Sequence, residues 1–219
     1  SFAGKAAASG WGLAARGAEL AIRSSDLIFS FTGDDRRGVE PLLGARQVHL
    51  DLPPFLDPAA FAGLRRAPLA AGAPLRLLTA AMMRPGDKLE SYRRLGGWLG
   101  RCAQKNWRLS VAGDGPARGE VEAALAPLGA DRVRYLGQIE QDAMPGVYAK
   151  ADLFVWPAAN ESYGMAMLEA QAAGLPVIAG RGRGVANVVR DGETGLLTPD
   201  GDGAAFAGVV DFAAFCFNF

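Results

Sequence analysis

From Leu75 onward, short apolar runs alternate with helix-forming runs, and this rhythm limits the fold more than any other feature of the chain. Strands are expected at residues 75–79, 108–112, 132–136, 153–156, 176–179 and 195–198. Helices are expected between them at 89–104, 117–125, 142–151, 164–173 and 185–190. Parallel neighbours need a crossover long enough to hold a helix, so strands that alternate with helices build a parallel sheet. The expected class is α/β, a doubly wound parallel sheet. All strands of such a sheet end on one side, and ligands sit in the crevice outside those ends. The loops that follow the strands are therefore the place to look for function.

The first 58 residues do not share this rhythm. Residues 12–23 are Ala-rich with charges at helical spacing, and 27–31 suit a short buried strand. Thr32-Gly33-Asp34-Asp35 suggests a turn, 39–43 a short helix and 47–52 a second strand. Pro53-Pro54-Phe55-Leu56-Asp57-Pro58 then interrupts regular structure and suits a hinge. Two strands and two helices cannot bury both faces of a parallel sheet, so this stretch must lean on something else. The expected division is residues 1–58 and 59–219.

Half of the 219 residues are hydrophobic, enough for a sizeable core, and 23 basic residues balance 23 acidic ones. That balance argues against a broad surface for nucleic acid or membrane. Cys102 and Cys216 lie far apart and form no metal or redox pattern, so a reduced, cytoplasmic setting is the default. No apolar run is long enough to span a bilayer, and no signal peptide is visible. The first residue is Ser1, not Met, as in a fragment.

The most informative stretch runs from Asn160 to Ala170. Glu161 should lie in the loop after the fourth strand of the alternation. Gly164, Met165 and Ala166 should open the next helix with N–H groups that have no partner inside it, which makes an anion site. Met165, Ala166, Met167, Leu168 and Ala170 make that helix apolar almost all round, as in a buried helix. A carboxylate there, Glu169, needs donors. An Arg or a backbone N–H would satisfy it, and so would the hydroxyls of a ligand. Glu161 has its own structural alternative, as a loop carboxylate or helix cap. Two carboxylates flanking a helix start at the carboxyl edge of a parallel strand favour the ligand.

Glu161 and Glu169, with seven residues between them including Gly164, resemble the E-x7-E motif of retaining GT-B glycosyltransferases of glycosyltransferase group 1. Ala173-Gly174-Leu175-Pro176-Val177-Ile178-Ala179 and Asp191-Gly192-Glu193-Thr194-Gly195-Leu196-Leu197 match that family in order and spacing. The resemblance implies two Rossmann-like domains with the active site between them. Residues 1–52 then look like the last elements of an acceptor-binding N-terminal domain, 52–57 like the interdomain link, and the remainder like the donor-binding domain. It implies a nucleotide diphosphate sugar as donor and no cofactor or metal. Glu169 would hold ribose hydroxyls. Arg84, Lys88 and the amides of Gly164, Met165 and Ala166 would face the diphosphate. Glu161 would lie by the sugar, as an orienting group and not a nucleophile. Gly113, in Gly113-Asp114-Gly115-Pro116, would border the donor, its missing side chain allowing close backbone approach. Gly137 and Ile139 would frame the base through backbone groups. Counted back from Lys88, the relatives' Arg falls on Met83; the role is carried to Arg84.

The acceptor is open: a sugar, a lipid-linked sugar or a small molecule. Peripheral membrane contact would come through the rest of the N-terminal domain. Relatives use a His near the sugar, but His49, the only His, precedes the hinge, so donor binding with little transfer is expected. Two other functions fit: a nucleotide-binding module without chemistry, and a nucleotide-sugar epimerase or hydrolase of similar architecture. Gly180-Arg181-Gly182-Arg183-Gly184 suggests a dinucleotide loop, but Val185 stands where a small residue is required, so a role in shaping the donor pocket is expected instead. Ala186-Asn187 replaces a Pro-Glu pair of many relatives and receives no role. Phe206, Phe212, Phe215, Phe217 and Phe219 crowd the end of the chain. That tail is expected to pack irregularly or to expose apolar surface.

Overall fold

A computed structural model describes residues 12–217. The chain divides into two compact units, Ser1–Phe55 and Leu56–Phe219. In the first, α1 (Gly12–Ser24) leads to β1 (Leu27–Ser30), α2 (Gly33–Val39) and β2 (Val48–Asp51). The two strands pair in parallel, Leu27 opposite Val48. Thr32-Gly33-Asp34-Asp35 is not a turn but the start of α2. The Thr32 hydroxyl accepts from the Asp35 N–H, and the Asp35 carboxylate accepts from the Thr32 N–H. This reciprocal cap is a helix start signal that the turn composition masked. The helix expected at 39–43 shrinks to a 3-10 turn, Glu40–Leu42, because Pro41 has no N–H to give. Two strands cannot cover their own faces, and Phe29 and Leu50 are each 47% exposed.

The second unit holds six parallel strands: β3 (Leu75–Ala80), β4 (Trp107–Ala112), β5 (Val133–Gly137), β6 (Leu153–Trp156), β7 (Val177–Gly180) and β8 (Gly195–Thr198). Their order is β5-β4-β3-β6-β7-β8. The chain steps outward from β3 to β5, then returns to the other side of β3 for β6. The strand order reverses between β3 and β6, and that reversal opens a crevice at their carboxyl ends. Five helices connect or follow the strands: α3 (Asp87–Leu99), α4 (Arg118–Leu125), α5 (Met144–Tyr148), α6 (Met165–Ala172) and α7 (Gly203–Phe217). α3 packs with α4 and α7, while α5 packs with α6. Right-handed crossovers place the α3–α4 connections and α6 on opposite faces. All four residues of β6 are buried, as expected for a strand covered on both sides.

Several elements are shorter than the sequence suggests. The helix expected to reach Gln104 stops at Leu99, because the Asp211 carboxylate of α7 accepts the N–H groups of Ala103 and Gln104 at 2.8 and 2.9 Å. The helix expected at 142–151 is only Met144–Tyr148. That at 185–190 is only a 3-10 turn, Val185–Asn187, since the Thr194 hydroxyl captures the Arg190 N–H. The tail is not irregular. Phe206, Val210 and Ala214 recur at helical spacing and are buried, so α7 belongs to the core. Phe206 packs on Trp98 with ring centroids 5.1 Å apart. The apolar exposure is real: Phe212 and Phe215 are 61% and 57% exposed. Phe219 and the Phe217 side chain lie outside the described residues.

Candidate functional site

The crevice between β3 and β6 widens into a cleft of about 770 Å³. The loops after β3, β4, β5 and β6 and the start of α6 line it. Lys88, in the first turn of α3, places its ammonium 2.5 Å from Glu161 Oε2. The Trp156 indole N–H donates to the same oxygen at 3.1 Å. The ammonium also lies 5.6 Å from the Trp156 ring centroid, within cation–π reach. The Lys88 and Glu161 side chains are only 19% and 13% exposed, so water screens their attraction less than at an open surface.

The loop bearing Glu161 is held in an uncommon shape. Ala158 and Asn160 take positive φ, +59° and +49°. For residues with a Cβ this costs on the order of 1 kcal/mol each and needs support from neighbours. α3 supplies part of it: the Ala159 N–H donates to the Ser91 hydroxyl at 3.0 Å, and the Asn160 amide donates to Asp87 at 2.8 Å. The Gly180–Gly184 loop supplies the remainder. A Cβ on Gly184 would fall 1.6 Å from the Ser162 carbonyl oxygen, and one on Gly180 would fall 2.3 Å from that of Pro157. The Gly184 N–H donates to the Glu161 carbonyl at 3.1 Å. These glycines do not line the cleft; they form the bed on which the Glu161 loop rests.

α6 opens at Gly164, whose φ of +96° suits glycine alone, and no side chain caps it. The Met167 N–H closes onto the Gly164 carbonyl at 2.9 Å. The N–H groups of Met165 and Ala166 precede any helical acceptor, and both residues line the cleft beside Gly164. α6 is not buried all round as its composition suggested: Met167 and Ala170 are buried, but Met165 is 37% exposed. One side packs on the unit while its opening turn borders the cleft.

Among the described residues, Glu169 finds its donor in neither an Arg nor a backbone amide. The Tyr148 hydroxyl donates to Glu169 Oε2 at 2.7 Å. Burial, and then the charge of Glu169, push the Tyr148 phenol well above its ordinary pKa, so it stays protonated and remains a donor. Glu169 is half-buried and lines the cleft.

Arg84 lies exposed on the rim, and its guanidinium has no acidic partner among the described residues. Met83 is fully buried and cannot take that place. Gly113 lines the cleft, but its missing side chain serves the chain itself: a Cβ there would fall 2.0 Å from the Ala81 carbonyl oxygen. A Cβ on Gly115 would likewise fall 2.4 Å from that of Met83. Bare glycines let the loops after β3 and β4 touch. Ile139 lines the cleft, whereas Gly137 does not; its carbonyl accepts the Gly113 N–H at 2.8 Å. Trp156, Tyr148 and Ser91 were not singled out in the sequence. Trp156 and Tyr148 are aromatic residues whose polar tips need partners when buried, and that is the signal they offer. Among the described residues no three His, Cys, Asp or Glu side chains gather as a metal site. No helix among them is long and apolar enough to cross a membrane.

Comparison with known proteins bears on the family and the fold. A D-inositol 3-phosphate glycosyltransferase of Corynebacterium efficiens is 41% identical over 114 residues, which are 50% of this chain and 27% of that protein. The sulfoquinovosyl transferase SQD2 of Arabidopsis thaliana is 34% identical over 98 residues, 43% of this chain and 19% of its own length. The chain therefore spans only a minor part of these curated relatives. Among solved structures, the lipopolysaccharide outer core galactosyltransferase WaaB, in its apo form, superposes with a TM-score of 0.72 at 18% identity, over 88% of this chain and 54% of its own. Anabaena Alr3699/HepE in complex with UDP-glucose gives 0.71 at 21% identity, over 89% and 55%. At such identities the likeness shows the fold, a Rossmann-like α/β domain of GT-B type. The family profile described as glycosyl transferases group 1 matches residues 96–212, more than half of the chain, and the chain belongs to that family.

Proposed function

We propose that this chain is the donor-binding half of a retaining glycosyltransferase that takes a nucleotide diphosphate sugar. The observation that supports this best is the convergence, in one cleft, of Lys88, Arg84, the uncapped start of α6, Glu161 and Glu169. Cations and free amides suit a diphosphate, and carboxylates suit sugar hydroxyls. Glu169, oriented by Tyr148, would accept hydrogen bonds from the ribose. Arg84, Lys88 and the amides of Gly164, Met165 and Ala166 would stabilise charge that grows on the diphosphate as it leaves. Gly113 and Ile139 would border the nucleotide, with Gly137 behind them holding the Gly113 N–H through its carbonyl.

Lys88 and Glu161 neutralise each other in the structure. A diphosphate would compete for Lys88 and turn the Glu161 carboxylate to the sugar. There it would orient hydroxyls and offset positive charge at the anomeric carbon. The bond from that carbon to the diphosphate oxygen breaks, and the bond to the acceptor oxygen forms on the same face. The acceptor proton leaves with the diphosphate. HepE, the fold neighbour in complex with UDP-glucose, supports a donor of this class. Residues 1–58 would be the last elements of an acceptor-binding domain. The acceptor would be a sugar, a lipid-linked sugar or a small molecule, in a cytoplasmic setting, and this chain would bind donor with little transfer.

Calorimetry with UDP, GDP and ADP tests the proposal. One of the three should bind, and Glu169→Ala and Lys88→Ala should each weaken it by about tenfold, the loss of one charge-assisted contact. Absence of binding by folded protein, or binding indifferent to both changes, would overturn it.

A further inference from the structure

A second concavity, of about 930 Å³, lies on one face of β3, β4 and β5. The register sets Arg76 beside Arg108 and Ser110 beside Arg134. Side chains alternate along a strand, so Arg76, Arg108, Ser110 and Arg134 share this face, while Leu77, Leu109 and Val111 are buried on the other. A doubly wound sheet normally buries both faces. Here the wall nearest the groove comes from α5, only five residues long, and the chain just after it, through Val147 and Lys150.

The charge at this face is one-sided. The lining includes five cations and one acid, Asp131. Like charges set directly opposite on neighbouring strands repel. The protein answers this at Arg76, which forks onto Asp152 at 2.6 and 2.9 Å. It does not do so elsewhere. Arg108 donates to a neutral carbonyl, that of Asp131, at 2.5 Å. Arg134 and Lys150 have no acidic partner among the described residues, and both are exposed. Between these cations the floor is apolar, formed by Leu136, Ile139 and Val147, each partly exposed, above the buried Leu78.

We infer that this groove binds an anionic single-chain amphiphile, with a phosphate head between Arg108 and Arg134 and its chain along the apolar floor. Arginine forks match a phosphate, and the chain would cover the part of the floor that the short α5 leaves partly exposed. A free inorganic anion would leave the floor unused, and a zwitterionic head would bring a second cation into a cationic rim.

The test uses the full chain and lysophosphatidic acid below its micelle concentration, followed by calorimetry and by the fluorescence of Trp107, on whose ring Arg132 stacks at 5.1 Å. Lysophosphatidylcholine of the same chain length, inorganic phosphate and an acidic peptide are the comparators. One lysophosphatidic acid should bind per chain, at least about tenfold more tightly than any comparator. R108Q/R134Q should weaken it by about tenfold or more at unchanged melting temperature, since both side chains are exposed. Ile139 lines both cavities, so the two proposals are separated by variants and not by competition: R108Q/R134Q should leave UDP binding unchanged, and Lys88→Ala should leave lysophosphatidic acid binding unchanged. Equal binding of lysophosphatidylcholine would show that charge is not read, and equal binding of phosphate that the floor is not used. A preference for the acidic peptide would assign the face to a protein partner. Each of these outcomes overturns the inference, as would indifference to R108Q/R134Q or no binding at all.

Discussion

The two ends of the six-stranded sheet use the same chemistry to opposite effect. At the amino end, Asp152 is 2% exposed, and its carboxylate accepts from the Arg76 guanidinium at 2.6 and 2.9 Å and from the Arg76 N–H at 2.8 Å. Arg66 closes the same end by donating to the carbonyls of Gly174, Ala151 and Asp152 at 2.6, 3.1 and 3.1 Å. At the carboxyl end, the Lys88 and Trp156 donors both meet one Glu161 oxygen, Oε2, and the α6 amides have no helical acceptor. A carboxylate saturated from within the protein is a fastener. A carboxylate held by one oxygen at the edge of a cleft can still meet a ligand. The sheet ties its ends differently because the strand order reverses at β3 and β6, and only the carboxyl side of that reversal is open.

Breaking the closed end should have the largest effect. Asp152→Ala strands the Arg76 N–H and guanidinium and is expected to cost about 3 kcal/mol, the lower end for a broken buried pair because Arg76 is partly exposed. The urea midpoint should fall while the folded fraction keeps its nucleotide affinity. An unchanged midpoint would mean that Asp152 fastens nothing.

At the open end the balance should invert. Trp156→Phe keeps an aromatic ring against Tyr92, now 5.1 Å away at 81°, but removes the donor to Glu161. We expect a stability loss of about 1–2 kcal/mol, together with a several-fold weaker grip on a nucleotide diphosphate sugar. If binding held and stability fell as far as in Asp152→Ala, the two ends would not differ as described.

The smallest effect sharpens the closed side. Burial pushes the Cys102 thiol from 9.0 up to about 12, with the nearby Asp211 charge adding to it. The folded-state pKa is raised, so stability is fully present below the unfolded-state value near 9 and should be lost progressively as pH rises toward about 12. The same burial should leave Cys102 unreactive to iodoacetamide in the native state while exposed Cys216 is labelled. Labelling of both thiols at equal rates would contradict the packing of α7 over Cys102.

Strand positions were legible because an apolar run between turn residues has few other uses, and β6 and β8 fall where their residues predict. Helix ends were less so. α3 is ended by Asp211, more than 100 residues away, and no local pattern announces that. The Gly180–Gly184 loop was misleading for a similar reason. Its glycines answer the backbone of the Glu161 loop, which a sequence shows only as a distant stretch.

The chain's order of residues by itself determined the parallel α/β architecture, the helix start at Gly164 and the placing of Glu161 before it and Glu169 within it. These depend on periodicity and on φ preferences that act within a few residues. Only the tertiary structure decided which groups meet: Lys88 with Glu161 across 73 positions, Ser91 with Ala159 across 68 and Tyr148 with Glu169 across 21. The first two contacts exist because β3 and β6 become neighbours when the sheet forms, and the third because α5 and α6 pack together. Adjacency between strands is set by burying both faces of the sheet at once, a condition of the whole unit and not of any one stretch.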